Sequence, residues 1–456
     1  MSEPSESRHA LPTRTKAIYA LGDHTVNLGL SAMLFLFPAF LTDVAMLRPA
    51  LAGLVPLIAR GIDAFADPAM GRFSDATRWR AGRRRPFFLI GALPLGASFA
   101  ALWATPDTGG EARRFAYYAV IYVLFALSTT VLSVPYLALI PEMATSYQER
   151  TSINSFRAAG AILGTLLAVG VMRPLVQVFG GGAGGWLAAG ALAGVWIAAP
   201  WPLVYRATFE RPGFQRESHE PFLSSVGSLA RHPAYVRLTG LFLLGRIAID
   251  LTSTMFLYYF TYWLGRPDDF EPTLGLFLLA IVASLPIWLA ISRRVEKRTL
   301  YVMGAASWIG SQVFLLAATP EWPRIWIFVG AAIGGVGYAA ADMIPWSMLG
   351  EVVDEDELRS GERREGLYFG LFTFLRKLGG ASAVAIALFV LDLSGYVANQ
   401  PQSQATITTI RVLTAVVPAV FVALGAWVAL GYPLSRARHT EILVALDARR
   451  AGAGGT

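Results

Sequence analysis

Cysteine is absent from the 456 residues, so the chain has no disulfide, no thiolate metal ligand and no thiol nucleophile. Charge is scarce: Asp, Glu, Lys and Arg make up 15% of the chain, where a soluble domain carries about 25%. Lysine occurs only at Lys16, Lys297 and Lys377, so almost all positive charge is arginine. Of the five histidines, His9, His219, His232 and His439 fall in tails or in a central loop, apart from His24, so no histidine cluster for a metal is expected. These shortages exclude a basic nucleic-acid-binding domain and an ordinary soluble enzyme.

What is abundant is apolar length. Hydrophobic residues are 55% of the chain and fall in blocks long enough to cross about 30 Å of hydrocarbon as helices. Twelve spans are expected, centred on 18–41, 50–71, 86–104, 116–140, 156–178, 185–205, 238–263, 273–292, 300–318, 325–349, 366–391 and 407–432. The net charge of +7 then reports topology rather than an acidic ligand: 27 of the 38 Lys and Arg fall on one side, with both termini, and that side is the cytoplasm. Span one reads as retained, because residues 1–16 are polar and no short apolar core with a small-residue cleavage site follows.

Residues 206–236 form the longest polar stretch and divide the chain into an amino-terminal bundle (1–205), a central loop and a carboxy-terminal bundle with a tail (237–456). A weak repeat agrees with that division. Val134-Pro135-Tyr136 leads through Glu142 to Glu149-Arg150 and Arg157; Ile344-Pro345-Trp346 leads through Glu351 to Glu362-Arg363 and Arg376. The expected fold is therefore an all-α membrane protein with two pseudo-symmetric six-helix bundles. That architecture resembles the major facilitator fold, in which transport sites lie at mid-bilayer.

A charge at the centre of a span costs about 2.5–3.5 kcal/mol and needs a reason. Span two carries Arg60, Asp63 and Asp67, with Arg72 and Asp75 at its cytoplasmic end. Asp63 and Asp67 are one turn apart on one face, which suits Na⁺, Li⁺ or a shared proton; a closed Arg60–Asp63 ion pair is the plainer reading. Lys377 either neutralises those acids or snorkels beside Arg376. Arg246 and Asp250 read as an internal pair. Asp342 has no basic residue within a turn; it is protonated, contacts substrate, or reaches Arg246 or Lys377. Asp23 and His24 read as capping or interfacial residues, with Asn27 one turn after Asp23. Tyr136, Trp346, Tyr258, Tyr259, Phe260 and Tyr262 are candidates to stack on a sugar ring, with packing as the alternative for each.

The run from Arg60 to Gly71 (RGIDAFADPAMG), with Thr77-Arg78 and Gly82-Arg83-Arg84-Arg85-Pro86, closely resembles the span-two signature of the glycoside–pentoside–hexuronide:cation symporters, the melibiose-permease-like branch of the major facilitator superfamily. Gly22-Asp23, Leu41-Thr42-Asp43-Val44, Glu149-Arg150-Thr151-Ser152, Asp354-Glu355-Asp356-Glu357 and Gly361-Glu362-Arg363-Arg364-Glu365 agree in order. The resemblance implies that Asp63 and Asp67 bind the coupling cation with help from Thr373, that Lys377 sits close to them, and that Arg157 borders the sugar. Arg60, Asp75, Arg83 and Arg363 are the candidates for gating or conformational roles.

Departures stand beside the likeness. The acids in spans one and four that hold sugar in melibiose permeases, and the tryptophan one turn on, match Asn27, Ser133 and Leu137 here. A galactoside bound by those paired carboxylates is not expected, and Asp342 and Asp250 are the acids available to take over. The expected function is cation-coupled symport (Na⁺ or H⁺) of a sugar or glycoside, with Asn27, Arg157, Asp342, Tyr136, Trp346 and Asp250 as substrate contacts; the alternative is a lysolipid or other amphiphile. No cofactor beyond the coupling ion, no enzymatic activity, no nucleic-acid partner, a monomer, and a bacterial inner-membrane location complete the expectation.

Overall fold

The computed structural model describes residues 11–107, 109–144, 146–211, 229, 231–362 and 364–453. No β-strand occurs among them. Helices follow from the solvent: in hydrocarbon every backbone N–H and C=O must be satisfied within the protein, and a helix does so locally. In the first half these are α1 (Thr13–Phe35, continued after a 50° bend by Phe37–Val44), α2 (Pro49–Ala76), α3 (Pro86–Leu102), α4 (Glu111–Met143), α5 (Tyr147–Val178) and α6 (Gly182–Ala207). The second half has α7 (Pro233–Trp263), α8 (Pro267–Ser292), α9 (Lys297–Ala317), α10 (Arg324–Ser360), α11 (Glu365–Leu393) and α12 (Gln404–Leu430), then α13 (Arg436–Ala453).

Among the described residues ten helices are long and apolar enough to cross a membrane, or eleven with bent α1 counted as one span; α3 is apolar but shorter. The bend in α1 falls at Leu36, two residues before Pro38, which has no N–H to continue the helix and whose ring crowds the preceding turn. Two helices outrun their expected spans. α5 starts at Tyr147, where the Ser146 hydroxyl accepts the Glu149 N–H at 3.2 Å, a serine cap with glutamate at the third position. α10 continues past its apolar block to Ser360 and stops on Gly361, whose φ is +79°. Hydropathy marks only the apolar part of a helix, whereas Glu, Arg and Leu sustain helix in water.

The chain divides into two compact units, Met1–Glu217 with Val397–Gln400, and Ser218–Tyr396 with Pro401–Thr456. Most of the expected central loop, 212–228 and 230, lies outside the described residues. Each unit repeats the same internal pairings: α1 on α5, α2 on α4, α3 on α4 and α6 in the first; α7 on α11, α8 on α10, α9 on α10 and α12 in the second. α1 and α7 even end alike, in π-helical turns (Phe40–Val44 and Tyr259–Trp263) followed by a positive φ at Met46 and Gly265. The α1–α5 contact needs glycine: a Cβ at Gly160 or Gly164 would run into the backbone of Ala20 or His24.

The expected carboxy-terminal tail holds α13. α13 is a docked helix whose Ile442 and Leu446 are buried in the core of the second unit with Leu349, Val352 and Val353. His439 meets Asp354 at 3.0 Å, and Arg449 donates to the Leu358 carbonyl at 3.2 Å.

Candidate functional site

The α2 signature folds into a polar pair of turns. Arg60 Nη1 donates to Asp63 Oδ2 at 2.7 Å. Asp63 is 2% exposed, and its other oxygen has no hydrogen-bond partner among the described residues. One turn on, Asp67 Oδ1 accepts the Thr130 hydroxyl of α4 at 2.7 Å. Arg60 also interacts electrostatically with Asp67 and with Tyr122 of α4. Both readings of this pair therefore coexist: the ion pair is closed through one oxygen of Asp63, and the second oxygen is a buried acceptor. An orphan buried acceptor costs about 1–3 kcal/mol, and a hard cation or a proton is the chemistry that relieves it.

The second constellation was not legible in the sequence. Asp23 does not cap α1, because the helix begins at Thr13 behind Pro12 and Asp23 lies in its interior. Its carboxylate receives Arg157 of α5 through Nε at 2.6 Å and Nη2 at 3.1 Å. The Tyr136 hydroxyl of α4 sits 2.7 Å from both Asp23 Oδ2 and the Tyr19 carbonyl. Tyr19 returns a hydroxyl bond to the Tyr136 carbonyl, and the two rings stack at 4.2 Å. Asn27 donates its side-chain N–H to the Asp23 backbone carbonyl at 2.8 Å. His24 is buried and accepts the Trp196 N–H at 3.0 Å. Tyr136, buried and stacked, thus orients Asp23 and Arg157 through its hydroxyl and ring face.

In the second unit, Arg246 and Asp250 form the expected pair, at 2.6 and 2.9 Å. α11 passes close enough that a Cβ at Gly380 would overlap the Asp250 carboxylate. Asp342, partly buried on α10, accepts the Tyr338 hydroxyl at 3.2 Å. It shares a small pocket with Arg246, Trp308 and Phe242. Trp346 packs among Phe242 and Phe372, at 5.5 and 5.2 Å between ring centres. Thr373 and Lys377 stand one turn apart on α11, both partly buried.

Of the conformational candidates, Arg60 lies within α2 beside Asp63, while Asp75 and Arg83 lie where α2 leads into α3. Asp75 pairs with Arg84 at 2.6 Å, while Glu142 of α4 bridges Arg83 and Arg84 at 2.5 and 2.6 Å. Glu210 accepts the backbone N–H groups of Arg83, Arg84 and Arg85 at 2.8–2.9 Å. Gly82 permits this at φ +114°, since a Cβ there would press on the Glu210 carboxylate. Arg363 lies outside the described residues. Sequence reading missed Glu142 as a bridge and Glu210 altogether. The one signal for Glu142 was its alignment in the repeat with Glu351, which meets Lys297 of α9 at 2.7 Å.

The family model described as MFS/sugar transport protein matches residues 18–436. The glucuronide carrier protein homolog of Escherichia coli is 29% identical, with 96% of each chain covered. The sodium-dependent lysophosphatidylcholine symporter 1 of Mus musculus is 26% identical, over 98% of this chain and 90% of its own. Among solved structures, the nucleoside transporter NupG superposes with a TM-score of 0.65 at 11% identity, covering 92% of this chain and 98% of that one; that likeness concerns the fold.

Proposed function

The chain belongs to the MFS/sugar transport protein family, among its cation-coupled symporters, and from that premise we propose that it carries a sugar or glycoside through the bacterial inner membrane with Na⁺ or H⁺, by alternating access. The observation that carries the reading is the second oxygen of Asp63, buried and unsatisfied one turn from Asp67. A cation bound there offsets the charge of two acids that face one arginine, so the half can close without stranding a carboxylate in hydrocarbon. Thr373 and Lys377 are assigned to the same step by their match to the family. Each net charge moved inward gains about 2.3 kcal/mol per 100 mV.

For the substrate, Asp23 and Arg157 supply an acceptor and a donor fork already oriented by Tyr136, a pairing suited to vicinal hydroxyls. Arg246, Asp250 and Asp342 offer the corresponding groups in the second half, and Asn27 and Trp346 are further contacts. Arg60, Asp75, Arg83 and Arg363 are assigned to conformational change.

One observation favours a second reading. An apolar groove in the first unit, lined by Leu28, Leu167, Val171, Met172, Leu175 and Trp196, has the character of an acyl-chain channel, and the mouse relative is named for lysophosphatidylcholine. Reconstituted protein challenged with mono- and disaccharides, hexuronates, aryl glycosides and lysolipids, each with Na⁺, Li⁺ or neither, separates the readings. Sugar-dependent, cation-dependent uptake that Asp63→Asn abolishes supports symport. Undiminished uphill uptake in Asp63→Asn overturns the cation site, and a response to lysolipid alone selects the second reading.

A further inference from the structure

Where α8 ends and α9 begins, the second unit carries a pocket with an apolar floor and a cationic rim. Leu289, Met343 and Leu434 line the floor, and Lys297, Arg298 and Arg436 stand around it. Leu289 is 57% exposed and Ile287 beside it 59%, so the pocket opens along the outer apolar face of α8, at the depth where a span meets water.

The acids on its walls are already committed: Glu351 meets Lys297 Nζ at 2.7 Å and Glu296 meets Arg298 Nε at 2.9 Å. Arg436 spends its two terminal nitrogens on the carbonyls of Ser292, Arg293 and Val295, at 2.7, 2.9 and 3.1 Å, closing the negative end of α8. His439 is held by Asp354. What remains on the rim is the pair of terminal nitrogens of Arg298, and just beside the pocket, at the end of α8, stand the exposed side chains of Arg293 and Arg294; none of these has a hydrogen bond or ion pair among the described residues. Guanidinium forks facing outward beside an exposed apolar helix match a phosphate carried on an acyl chain.

We propose that this pocket binds the phosphate headgroup of an anionic phospholipid, with an acyl chain lying along the outer face of α8. The site is separate from the transport residues, so its test does not depend on the substrate. The full-length protein is placed in nanodiscs of phosphatidylcholine with or without phosphatidylglycerol, and retained lipid and thermal midpoint are measured. Wild type is expected to retain phosphatidylglycerol and gain midpoint from it. Arg293→Gln with Arg298→Gln is expected to lower that retention about tenfold while its midpoint in phosphatidylcholine stays unchanged; Arg438→Gln, which removes an arginine paired with Glu441 on α13, is expected to retain the lipid. If the double variant fails to fold, Arg298→Lys serves instead, keeping the charge and losing the fork, with an intermediate loss expected. Equal retention of both lipids by wild type, or full retention by the variant, overturns the proposal. So does a midpoint gain from free inorganic phosphate in phosphatidylcholine that matches the gain from the anionic lipid, because the site would then take a soluble anion.

Discussion

Arg157 and Asp23, 134 residues apart, meet through two nitrogens of the guanidinium and both oxygens of the carboxylate. Neither α1 nor α5 needs this pair in order to form a helix, and the approach that allows it is set by Gly160 and Gly164 packing on the backbone of α1.

Breaking the pair separates binding from stability. Arg157→Ala leaves Asp23 without its counter-charge, a loss of about 3–5 kcal/mol for a fully buried pair and less here, with side chains 17% and 15% exposed. Adding Asp23→Asn to Arg157→Ala is expected to restore much of the thermal midpoint but not substrate affinity. Recovery of affinity in the double variant, measured by calorimetry, would show that the pair only holds helices together.

The Thr130 hydroxyl of α4 donates to Asp67 Oδ1 at 2.7 Å. A hydrogen bond to a charged group contributes about 1.5–3 kcal/mol, so Thr130→Val is expected to change the apparent affinity for the coupling cation by at least tenfold with the fold intact. Cation titration of uptake in proteoliposomes measures this; an unchanged midpoint would remove Thr130 from the site.

Gly164 tests the helix contact. Gly164→Leu places a branched side chain where the α1 backbone already lies, and overpacking of this kind costs about 1–3 kcal/mol or more. The variant is expected to lose its monodisperse peak on size exclusion, whereas Gly170→Leu, whose Cβ direction is open, is expected to keep it.

His232 gives a pH dependence outside the membrane. It is the N-cap of α7, its Nδ1 accepting the Tyr235 N–H at 3.3 Å. Burial pushes its pKa below the ordinary value, outweighing the opposite pull of Glu355. Folding thus favours the neutral ring, so this stability is present above the unfolded value of about 6.5 and is lost as pH falls through it. The thermal midpoint is expected to drop between neutral and mildly acidic pH, and to drop less in His232→Asn, which keeps a capping acceptor. Parallel profiles for the two proteins would remove His232 as the cause.

Periodic and compositional features were readable directly. The helices coincide with the apolar blocks because hydrocarbon rewards only satisfied backbone, and Arg246–Asp250 and Arg60–Asp63 follow from helical spacing alone. Of the two readings of Asp23, capping fails, because a residue near the start of an apolar block looks like an end, while the helix had begun ten residues before it. The docking of α13 within the tail was not legible because its two anchoring apolar residues, Ile442 and Leu446, make too short a stripe to stand out from its arginines.

The sequence by itself determined that this chain is a helical membrane protein built of two similar halves, with a pair of acids on one turn of α2, because length, hydropathy and i, i+4 spacing are local quantities. Only the tertiary structure decided which charges meet. Arg157 with Asp23 and Thr130 on Asp67 join different helices, while Glu142 between Arg83 and Arg84 and Glu210 under three backbone amides tie a helix or a helix-end segment to the loop before α3. Such pairings depend on how closely two backbones approach and on the rotation of each helix about its axis, and both are settled by side-chain packing between helices rather than by the order of residues along either one.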